Sequence, residues 1–522
     1  MKKLIFTLFG IIFIGSLLSN VSAQTNVSGG IYSNTTWTLN NSPYIVTDTV
    51  VVFPGVTLTI QPGVVVKFDS LKYMEIRQGR IIANGTITDS ITFTSNSMNP
   101  YSGIWNEIYL NADSMTCEFD YCNFKYAHTA LSFYHCDTTF ISHSRFLNNM
   151  KGLIDGSVSP TAFCFINNCD FISNTLIGIN FEGTKVIIDS CNFTLNSEGA
   201  SIVNAINSSI KHSIINSNQI GLYLSLISID SCTIKYNLNG IYGYQNNILN
   251  CIIDSNIFIG ISDADDSIIN CEIKYNGEGI SNREFPSQIL CNDIEYNRVG
   301  IHDTLWNTGW GATINGNIIK NNVIGIDSVI QYDIISQNII EDNSVGIVLY
   351  INDNHISCNK ICNNNLYDLK YFYNTNISIP NNYWCNTDSA TIHSRIFDGY
   401  SNIAYGLVSV FAIDSMNCYI TSCNQFITSS LEFKNASDLN QISIYPNPND
   451  GKFVLSYYLI KEMQNIASLR IMDVMGRIVY TTTIAGIEGT QSIDVSDLNN
   501  GIYFYQLINN SEIKEGKFVI SK

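Results

Sequence analysis

The sequence predicts an all-β chain in which a right-handed parallel β-helix solenoid is followed by a small antiparallel β-sandwich. A phrase of the form Cys-x-Ile-x-x-Asn, followed by Gly-Ile, recurs about every twenty residues. The repeat is built from Ile, Val, Asn, Ser, Cys and Tyr, which favour strands and turns over helices. After about residue 440 the repeat stops, and six or seven short alternating segments replace it.

The period of the repeat indicates a solenoid. Clear copies start at Cys232, Cys251 and Cys271. Each unit is too short for a pair of helices, and the Leu-x-x-Leu-x-Leu frame of leucine-rich repeats is absent. Two or three short strands per coil, stacked in parallel about 4.8 Å apart, fit the period. The coils are marked by Asn174, Asn196, Asn218, Asn237, Asn256, Asn276, Asn297, Asn322, Asn343 and Asn364.

The periodic residues are predicted to be structural. Asparagine amides at a turn can hydrogen-bond to their copies in neighbouring coils, and glycine permits a backbone bend. Cysteines in register would stand about 4.8 Å apart, farther than the usual Cβ separation in a disulfide. We therefore expect buried thiols at one repeat position. We assign to it Cys169, Cys191, Cys232, Cys251, Cys271 and Cys291.

Disulfides, which are common in exported proteins, are expected outside this ladder. Cys418 is predicted to pair with Cys423, and a second bridge is predicted within the group Cys358, Cys362 and Cys385. No Cys-x-x-Cys pair suggests zinc or redox chemistry.

Residues 1–23 are predicted to be a signal peptide. Lys2 and Lys3 precede an apolar run that ends at Leu18, and a small-x-small site ends at Ala23 before Gln24. No later stretch approaches the eighteen apolar residues of a membrane span. We therefore predict an exported chain without a transmembrane segment.

The charge of the chain excludes one class of partner. The formal net charge is −17, and nucleic acid binding needs a clustered basic surface that is missing here. A surface rich in Asn, Ser and Thr suits neutral sugars as well as plain solubility. We expect no cofactor other than calcium, which can bridge acidic groups.

The segments are predicted in this order. The β-helix with its two caps spans residues 24–423, a polar linker spans 424–440, and the sandwich spans 441–522. The first coils have Pro-Gly turns at Pro54 and Pro62, and they resemble the opening coils of secreted bacterial β-helix proteins of the pectate-lyase-like kind. Tyr371 and Trp384 are expected to help cover the far end of the core.

The last eighty residues contain four sequence boxes in a fixed order. They are Tyr-Pro-Asn-Pro, Asp-x-x-Gly-Arg, a Gly-Ile-Tyr box and a terminal Gly-Lys-Phe. In this order they resemble the type A C-terminal sorting domain of type IX secretion. The motif residues are Pro446, Asn447, Pro448, Asp473, Gly476, Arg477, Gly501, Tyr503 and Lys517.

This resemblance implies a location and two partners. The type IX secretion machinery would carry the chain across the outer membrane of a Gram-negative bacterium, and a sortase-like peptidase would remove the domain. The product would then be released or attached to surface lipopolysaccharide at the cell exterior. The resemblance implies nothing about what the β-helix does.

Known β-helix enzymes suggest a test for catalysis, by analogy of fold alone. A polygalacturonase needs Asn-Thr-Asp, then Asp-Asp, then Gly-His-Gly. This chain has Asn386-Thr-Asp388 after Asp265-Asp266, in the wrong order, and it lacks Gly-His-Gly. The Arg-x-Pro-x-x-Arg pattern of pectate lyases is also missing.

An acidic turn and an inserted loop are the two candidate sites. Asp263, Asp265 and Asp266 share one turn and could bind calcium or act as acids, although acidic turn residues are usually only solvated. The insertion that stretches one repeat to 25 residues contains Asp303, Trp306 and Trp310. Its exposed rings would suit a sugar face, unless they fold back over an apolar seam.

Two further groups are left open by spacing alone. His128, His135 and His143, with Cys136 nearby, could hold copper, but their separations do not match one coil. Three tyrosines share a repeat position, and spacing does not say whether they face the core or solvent. They are Tyr236, Tyr275 and Tyr296.

These observations favour an exported cell-surface or released β-helix with a structural, adhesive or glycan-binding role and no catalysis. The alternative is a polysaccharide-active enzyme, a lyase, hydrolase or epimerase, with an unrecognised site on the side of the rod. Three or more convergent charged side chains in one lateral groove would favour the enzyme, and an even Asn/Ser/Thr face would favour the scaffold.

Overall fold

A computed structural model describes most of the chain after residue 23. The described residues are 24–112, 116–134, 138–155, 163–263, 266–282, 287–303, 311–328, 332–410, 442–445, 449–458, 466–473, 477–485, 488–509 and 512–522. The chain divides into two compact units at residues 421 and 422. None of the described helices is long and apolar enough to cross a membrane.

The first unit is a parallel β-helix, which confirms the prediction. Each coil contributes one strand to each of three parallel ladders, named A, B and C in the order in which the chain meets them. Thr25–Ile31 and Tyr44–Val52 are long first strands that pair with each other and open ladders B and C. Every later strand pairs with its copy one coil away, so the sequence period sets the register.

The strands of the three ladders have the following bounds. Ladder A consists of Thr35–Trp37, Thr57–Ile60, Arg80–Asn84, Thr116–Asp120, Thr138–Ser142, Phe163–Asn167, Lys185–Asp189, Ser208–Lys211, Ile227–Asp230, Asn247–Leu249, Ser267–Ile269, Gln288–Leu290, Thr313–Asn315, Ile334–Ser336 and His355–Ser357. Ladder B continues through Val65–Phe68, Ile91–Ser95, Cys122–Lys125, Arg145–Leu147, Asp170–Ile172, Asn192–Thr194, Ile214–Asn216, Thr233–Lys235, Ile252–Asp254, Glu272–Lys274, Asp293–Glu295, Ile318–Lys320, Ile339–Glu341 and Lys360–Cys362. Ladder C continues through Met74–Arg77, Trp105–Asn111, Ala127–Phe133, Lys151–Asp155, Ile177–Glu182, Glu198–Val203, Ile220–Ser225, Asn239–Tyr244, Ile259–Asp263, Glu278–Asn282, Val299–Asp303, Ile324–Ser328, Val345–Leu349, Tyr367–Tyr371 and Ile396–Phe397.

The core of the rod is a set of stacked apolar side chains. Ile234, Ile253, Ile273 and Ile294 follow one another in register on ladder B and are fully buried. Toward the N terminus phenylalanine takes this position, and the rings of Phe171 and Phe193 stack 4.9 Å apart. The inward positions therefore form continuous apolar columns, whose burial stabilises the rod.

The corner between ladders B and C is held by the predicted asparagine ladder. From Asn149 to Asn343, each side-chain Nδ2 donates to the Oδ1 of the asparagine one coil further on, at 2.9–3.1 Å. Each amide also donates to a backbone carbonyl, as Asn256 does to Ile234. The ladder ends where Asn364 donates to the carboxylate of Asp368.

Glycines let neighbouring coils approach one another on ladder C. A Cβ atom on Gly240 would lie 2.4 Å from the carbonyl oxygen of Gly260, which no side chain tolerates. The same contact, at 2.3–2.6 Å, recurs from coil to coil at Gly152, Gly178, Gly199, Gly221, Gly240, Gly260, Gly279, Gly300, Gly325 and Gly346.

The corner between ladders A and B contains the predicted thiols, with one correction. Cys169, Cys191, Cys232, Cys251 and Cys271 are buried thiols, and the backbone N–H of Cys251 donates to the Sγ of Cys271 at 3.4 Å. The next copy is an asparagine: the N–H of Cys271 donates to Asn292 Oδ1 at 2.9 Å.

The assignment of Cys291 to this ladder was therefore wrong by one residue. Cys291 takes the turn position before it, with φ +58°, and it is disulfide-bonded. The repeat phrase there starts at Asn292, because Ile294 takes the inward position that Ile273 has in the preceding coil. Of the predicted bridges, Cys362 pairs with Cys385, whereas Cys418 and Cys423 lie outside the described residues.

The far end of the rod is covered by irregular structure. A short helix, Ser389–Ser394, begins after Asp388, whose carboxylate accepts from the backbone N–H of Thr391. A two-stranded parallel sheet pairs Ile377–Ser378 with Val408–Ser409. A 3-10 turn, Leu39–Asn41, lies at the other end.

Charges alternate along the outer side of ladder B. Lys274 contacts Asp293 at 2.6 Å and Glu295 at 3.6 Å, and Glu341 is paired with both Lys320 and Lys360. Each residue thus faces opposite charges on the neighbouring coils. In register the column is Lys235, Asp254, Lys274, Glu295, Lys320 and Glu341.

The second unit has seven described antiparallel strands, where the sequence predicts six or seven. Phe453, Leu455, Leu469, Ile471 and Phe518 are among the residues of its apolar core, which draws on both sheets. One sheet consists of Ile442–Tyr445, Lys452–Tyr458 and Glu488–Asp494, and the other of Ile466–Met472, Ile478–Ala485, Gly501–Asn509 and Glu512–Ile520.

Candidate functional site

Ladder C places three ionisable side chains from three successive coils next to one another. Its strands read x-Gly-Ile-x-x, and the strands that begin at Glu278, Val299 and Ile324 pair in parallel register. His302 is aligned with Asp327 on the next strand, and Glu278 opens the strand before. The glycines fix this arrangement, because they set how closely these strands approach.

The imidazole of His302 lies between two carboxylates. Its Nδ1 is 3.2 Å from Glu278 Oε2, and its Nε2 is 3.9 Å from Asp327 Oδ2. Arg298 donates from Nη2 to Glu278 Oε1 at 2.8 Å. The side chains of Glu278 and Asp327 are each 15% exposed and that of His302 is 25% exposed. The cluster is therefore partly desolvated but open to solvent.

The two carboxylates have pKa values displaced in opposite directions. The His302 imidazole, in contact with the carboxylate, lowers the pKa of Glu278 against the opposing effect of its burial, although within the described residues His302 Nδ1 makes no well-aligned hydrogen bond. Burial raises the pKa of Asp327, with a contribution from the charge of Glu278. Asp327 Oδ1 is buried and has no hydrogen-bond partner among the described residues. Carboxyl groups separated in this way can act as a base and an acid in one site.

The structure places the predicted acidic turn and inserted loop as follows. Asp303 follows His302 but is fully buried, and its Oδ1 accepts from Asn282 Nδ2 at 3.3 Å. Asp266 is also buried, and it accepts from the backbone N–H of Asn246 at 2.6 Å. Asp263 ends a strand, and its side chain is not described. Trp306, Trp310 and Asp265 lie outside the described residues, so glycan and calcium binding there stay predictions.

Of the histidine group, the structure describes His128 and His143, and copper binding by the whole group stays a prediction. His143 stacks on Tyr121, with ring centroids 4.5 Å apart, and its Nδ1 lies 2.8 Å from Asp120. His128 is exposed on ladder C, and His135 and Cys136 lie outside the described residues. Within the part of the chain that the structure describes, no group of three or more His, Cys, Asp or Glu is arranged to hold a metal ion.

The tyrosines of the repeat face solvent. Tyr236, Tyr275 and Tyr296 occupy a turn position just before the ladder asparagine, with φ of 57–58°, and they are 59%, 57% and 47% exposed. The rings of Tyr275 and Tyr296 stack in parallel with centroids 5.0 Å apart. They precede Glu278 and Arg298 by three and two residues, so they lie at the corner beside the cluster.

Five motif residues of the second unit lie within the described part of the chain. Asp473 and Arg477 form an ion pair at 2.7 Å. Tyr503 is buried, and its hydroxyl donates to Asn499 O at 2.9 Å. Gly501 opens a strand and Lys517 is exposed near the chain end. Pro446, Asn447, Pro448 and Gly476 lie outside the described residues.

The fold and these motifs define an exported parallel β-helix with a sorting tail. Residues 443–521 match the model of the secretion system C-terminal sorting domain, and residues 29–120 match the model of the pectate-lyase like beta helix domain. The tail implies handling by type IX secretion and export to the cell surface or beyond. No curated protein matches the sequence.

Some solved structures are distantly similar. A double mutant of the periplasmic alginate epimerase AlgG is 11% identical over 54% of this chain and 74% of its own, with a TM-score of 0.33. A mutant tailspike protein of E. coli bacteriophage HK620 is 11% identical over 95% and 87%, with a TM-score of 0.36. The tailspike gp49 of Acinetobacter baumannii bacteriophage Fri1, a capsular polysaccharide depolymerase, is 9% identical over 90% and 74%, with a TM-score of 0.20.

Proposed function

We propose that this exported β-helix hydrolyses an extracellular polysaccharide at Glu278, His302 and Asp327. The observation that carries the proposal is the convergence of these three side chains, with opposite displacements of the two carboxyl pKa values. Perturbed carboxyl groups in a solvent-accessible cluster favour a functional site over a purely structural ion pair. This moves the balance from the non-catalytic role to the alternative that the sequence left open.

Each group has a role in the hydrolysis. Protonated Asp327 donates its proton to the glycosidic oxygen as the bond to the anomeric carbon breaks. Ionised Glu278 takes a proton from the water that attacks that carbon, so one water is added across the bond. Exchange with solvent then returns Glu278 to its ionised form and Asp327 to its protonated form, and His302 holds its imidazole between the two carboxyls. Arg298 orients Glu278 through its hydrogen bond.

Uncharged residues precede the acidic cluster on ladder C. On ladder C the residues in register with His302 are uncharged over the six preceding coils. Tyr223 and Tyr242 stack 5.7 Å apart, whereas Ser262 and Ser281, the two nearest the cluster, are buried. Hydroxyls, amides and aromatic rings are the groups that contact neutral sugars. The column is Asn180, Ser201, Tyr223, Tyr242, Ser262 and Ser281.

The experiment is a polysaccharide degradation assay on the full chain and on two substitutions, Glu278→Gln and Asp327→Asn. The panel holds neutral and acidic polymers, and release of reducing ends is followed from pH 3 to 8. We expect about a hundredfold loss of rate in each variant. The wild-type rate should fall on the alkaline side, because Asp327 loses its proton there. Asp254→Asn, on ladder B, is the matched control and should keep the rate.

Unaltered rates in both variants would overturn the proposal. If binding occurs with no turnover of any polymer, the second candidate remains, an adhesive or structural rod. That candidate is supported by the stacked rings of Tyr223 and Tyr242 in the same column, since aromatic rings can bind a sugar chain without a reactive group. In either case we propose that a sortase-like peptidase of a Gram-negative bacterium removes the tail, and that the product is released or attached to lipopolysaccharide.

A further inference from the structure

The corner between ladders B and C has a groove that the hydrolysis does not use. It holds about 500 Å³ and lies between Leu195 and Tyr236, both 59% exposed. Ser217 takes the equivalent position in the coil between them. These three residues occupy the same turn position in successive coils, with φ of 56–59°. An apolar side chain, a small one and a ring thus follow one another along the corner.

The lining of this groove has the chemistry of a sugar site. Its polar groups include the hydroxyls of Ser173, Thr175 and Ser197 and the amide of Gln219. The described residues that line it carry no charge. Such a site combines an apolar platform with uncharged hydrogen-bonding groups. It offers no cation to pair with an anionic ligand. A neutral carbohydrate fits this chemistry, and it also suits a chain of net charge −17.

The pattern continues toward the acidic cluster. Ser255 takes the turn position between Tyr236 and Tyr275, with φ +57° for all three residues. Two coil spacings, about 10 Å, therefore separate the two tyrosine positions. Rings at this corner lie parallel where they are adjacent, as Tyr275 and Tyr296 do at 5°. A gap of about 10 Å is enough for one puckered ring in van der Waals contact with a face on each side.

We propose that this corner binds pyranose rings of a neutral polysaccharide, one ring in the groove between Leu195 and Tyr236 and another above Ser255. This proposal rests on the proposed function only for the class of ligand, a polysaccharide. The binding site is separate from the acidic cluster, and the polymer that it binds is neutral. The corner leads along the rod to Tyr275 and Tyr296, beside Glu278 and Arg298.

The experiment measures binding rather than turnover. The full chain carrying Glu278→Gln is titrated with cellohexaose, xylohexaose, mannohexaose and chitohexaose, and with polygalacturonate, by calorimetry. Tyr236→Ala is expected to weaken binding of a neutral oligosaccharide about tenfold, and Tyr236→Phe to preserve it. Tyr101→Ala removes a tyrosine that is 62% exposed near the other end of the rod, and it should bind normally.

The outcomes separate this inference from the hydrolysis. Binding of a neutral oligosaccharide that Tyr236→Ala weakens supports the corner site even if wild-type protein cleaves nothing. No binding of any neutral oligosaccharide would overturn it, and so would binding that Tyr236→Ala leaves unchanged. Preferential binding of polygalacturonate would overturn the assignment to a neutral polymer. A change in melting temperature of Tyr236→Ala, measured alongside, identifies a folding defect, and Tyr275→Ala then repeats the test.

Discussion

Two kinds of buried polar residue lie along the rod, and their surroundings distinguish them. Asn256 is 1% exposed, and its amide oxygen accepts from both the backbone N–H and the Nδ2 of Asn237. Asp327 instead has a buried oxygen with no partner among the described residues. A satisfied amide stabilises the fold, whereas an unsatisfied carboxylate costs free energy. The two residues should therefore respond in opposite directions to substitution.

Replacing Asn256 by alanine is expected to destabilise the rod by about 2 kcal/mol or more, because the donors of Asn237 lose their acceptor inside the corner. Urea unfolding of the full chain measures this. Asn250→Ala is the matched control: Asn250 also bonds along the rod, to Asp230 and Asn270, but it is exposed. An equal loss in both variants would contradict a special role of the buried ladder.

Replacing Asp327 by asparagine is expected to raise the melting temperature at pH 7. Burial raises the pKa of Asp327, so the folded chain holds its proton more tightly than the unfolded chain does. The associated stability is complete below about pH 4 and is lost as pH rises through the raised pKa. The gain of the variant should therefore vanish near pH 3. Destabilisation at pH 7 would assign Asp327 a purely structural role.

At this scale the sequence predicts the repeating residues but not the acidic cluster. The regular spacing of Asn and Gly indicates their structural role, because each copy makes the same contact with the neighbouring coil. Glu278, His302 and Asp327 occur once each, and they meet only when the strands before and after a 25-residue step are aligned. The signal available was a charged residue beside Gly-Ile in three successive coils. Tyr236 could not be placed, because its outward direction depends on a left-handed backbone turn.

At the scale of the strand, ladder B holds its register partly through charge. Glu341 is 10% exposed and is paired with Lys320 and Lys360 on either side. Although burial opposes it, these two cations leave the pKa of Glu341 below its usual range. A strand displaced by one coil would bring like charges together, which is unfavourable.

Glu341→Lys is expected to destabilise the rod by about 1–3 kcal/mol, because three lysines would then meet on neighbouring strands. Chemical unfolding at low salt and in 1 M NaCl measures this, and salt should recover part of the loss. Asp48→Lys is the control, since its pair with Lys72 has a 69% exposed carboxylate. A loss that salt does not change would point to packing rather than charge.

Strand bounds were predictable only to the level of the period. The sequence predicts strands at each Ile-rich phrase, and the three ladders confirm them. It misplaced Cys291 because a cysteine beside the correct position imitates the repeat, and only the inward direction of Ile294 resolves the slip.

At the scale of the whole molecule, the rod is a sum of nearly equal coils that contact only their neighbours. Residues 238–256 make one complete coil, which ends at Asn256, the ladder asparagine that follows Asn237. Removing them is therefore expected to leave a folded rod. Circular dichroism and size-exclusion chromatography would show a soluble β protein. Removing residues 238–247 takes half a coil and breaks the register, and this variant is expected to aggregate. The same behaviour from both deletions would contradict the modular description.

The buried thiols at the corner between ladders A and B have a consequence for the folding of the exported chain. Within the described residues, six buried thiols line this corner of a protein destined for an oxidising environment: Cys122, Cys169, Cys191, Cys232, Cys251 and Cys271. Burial raises the pKa of Cys251, which keeps its sulfur in the unreactive protonated form. In an unfolded chain the same sulfurs would cross-link at random. The coils must therefore close before the thiols are oxidised. Once the rod has folded, burial keeps oxidants away from the cysteine sulfurs.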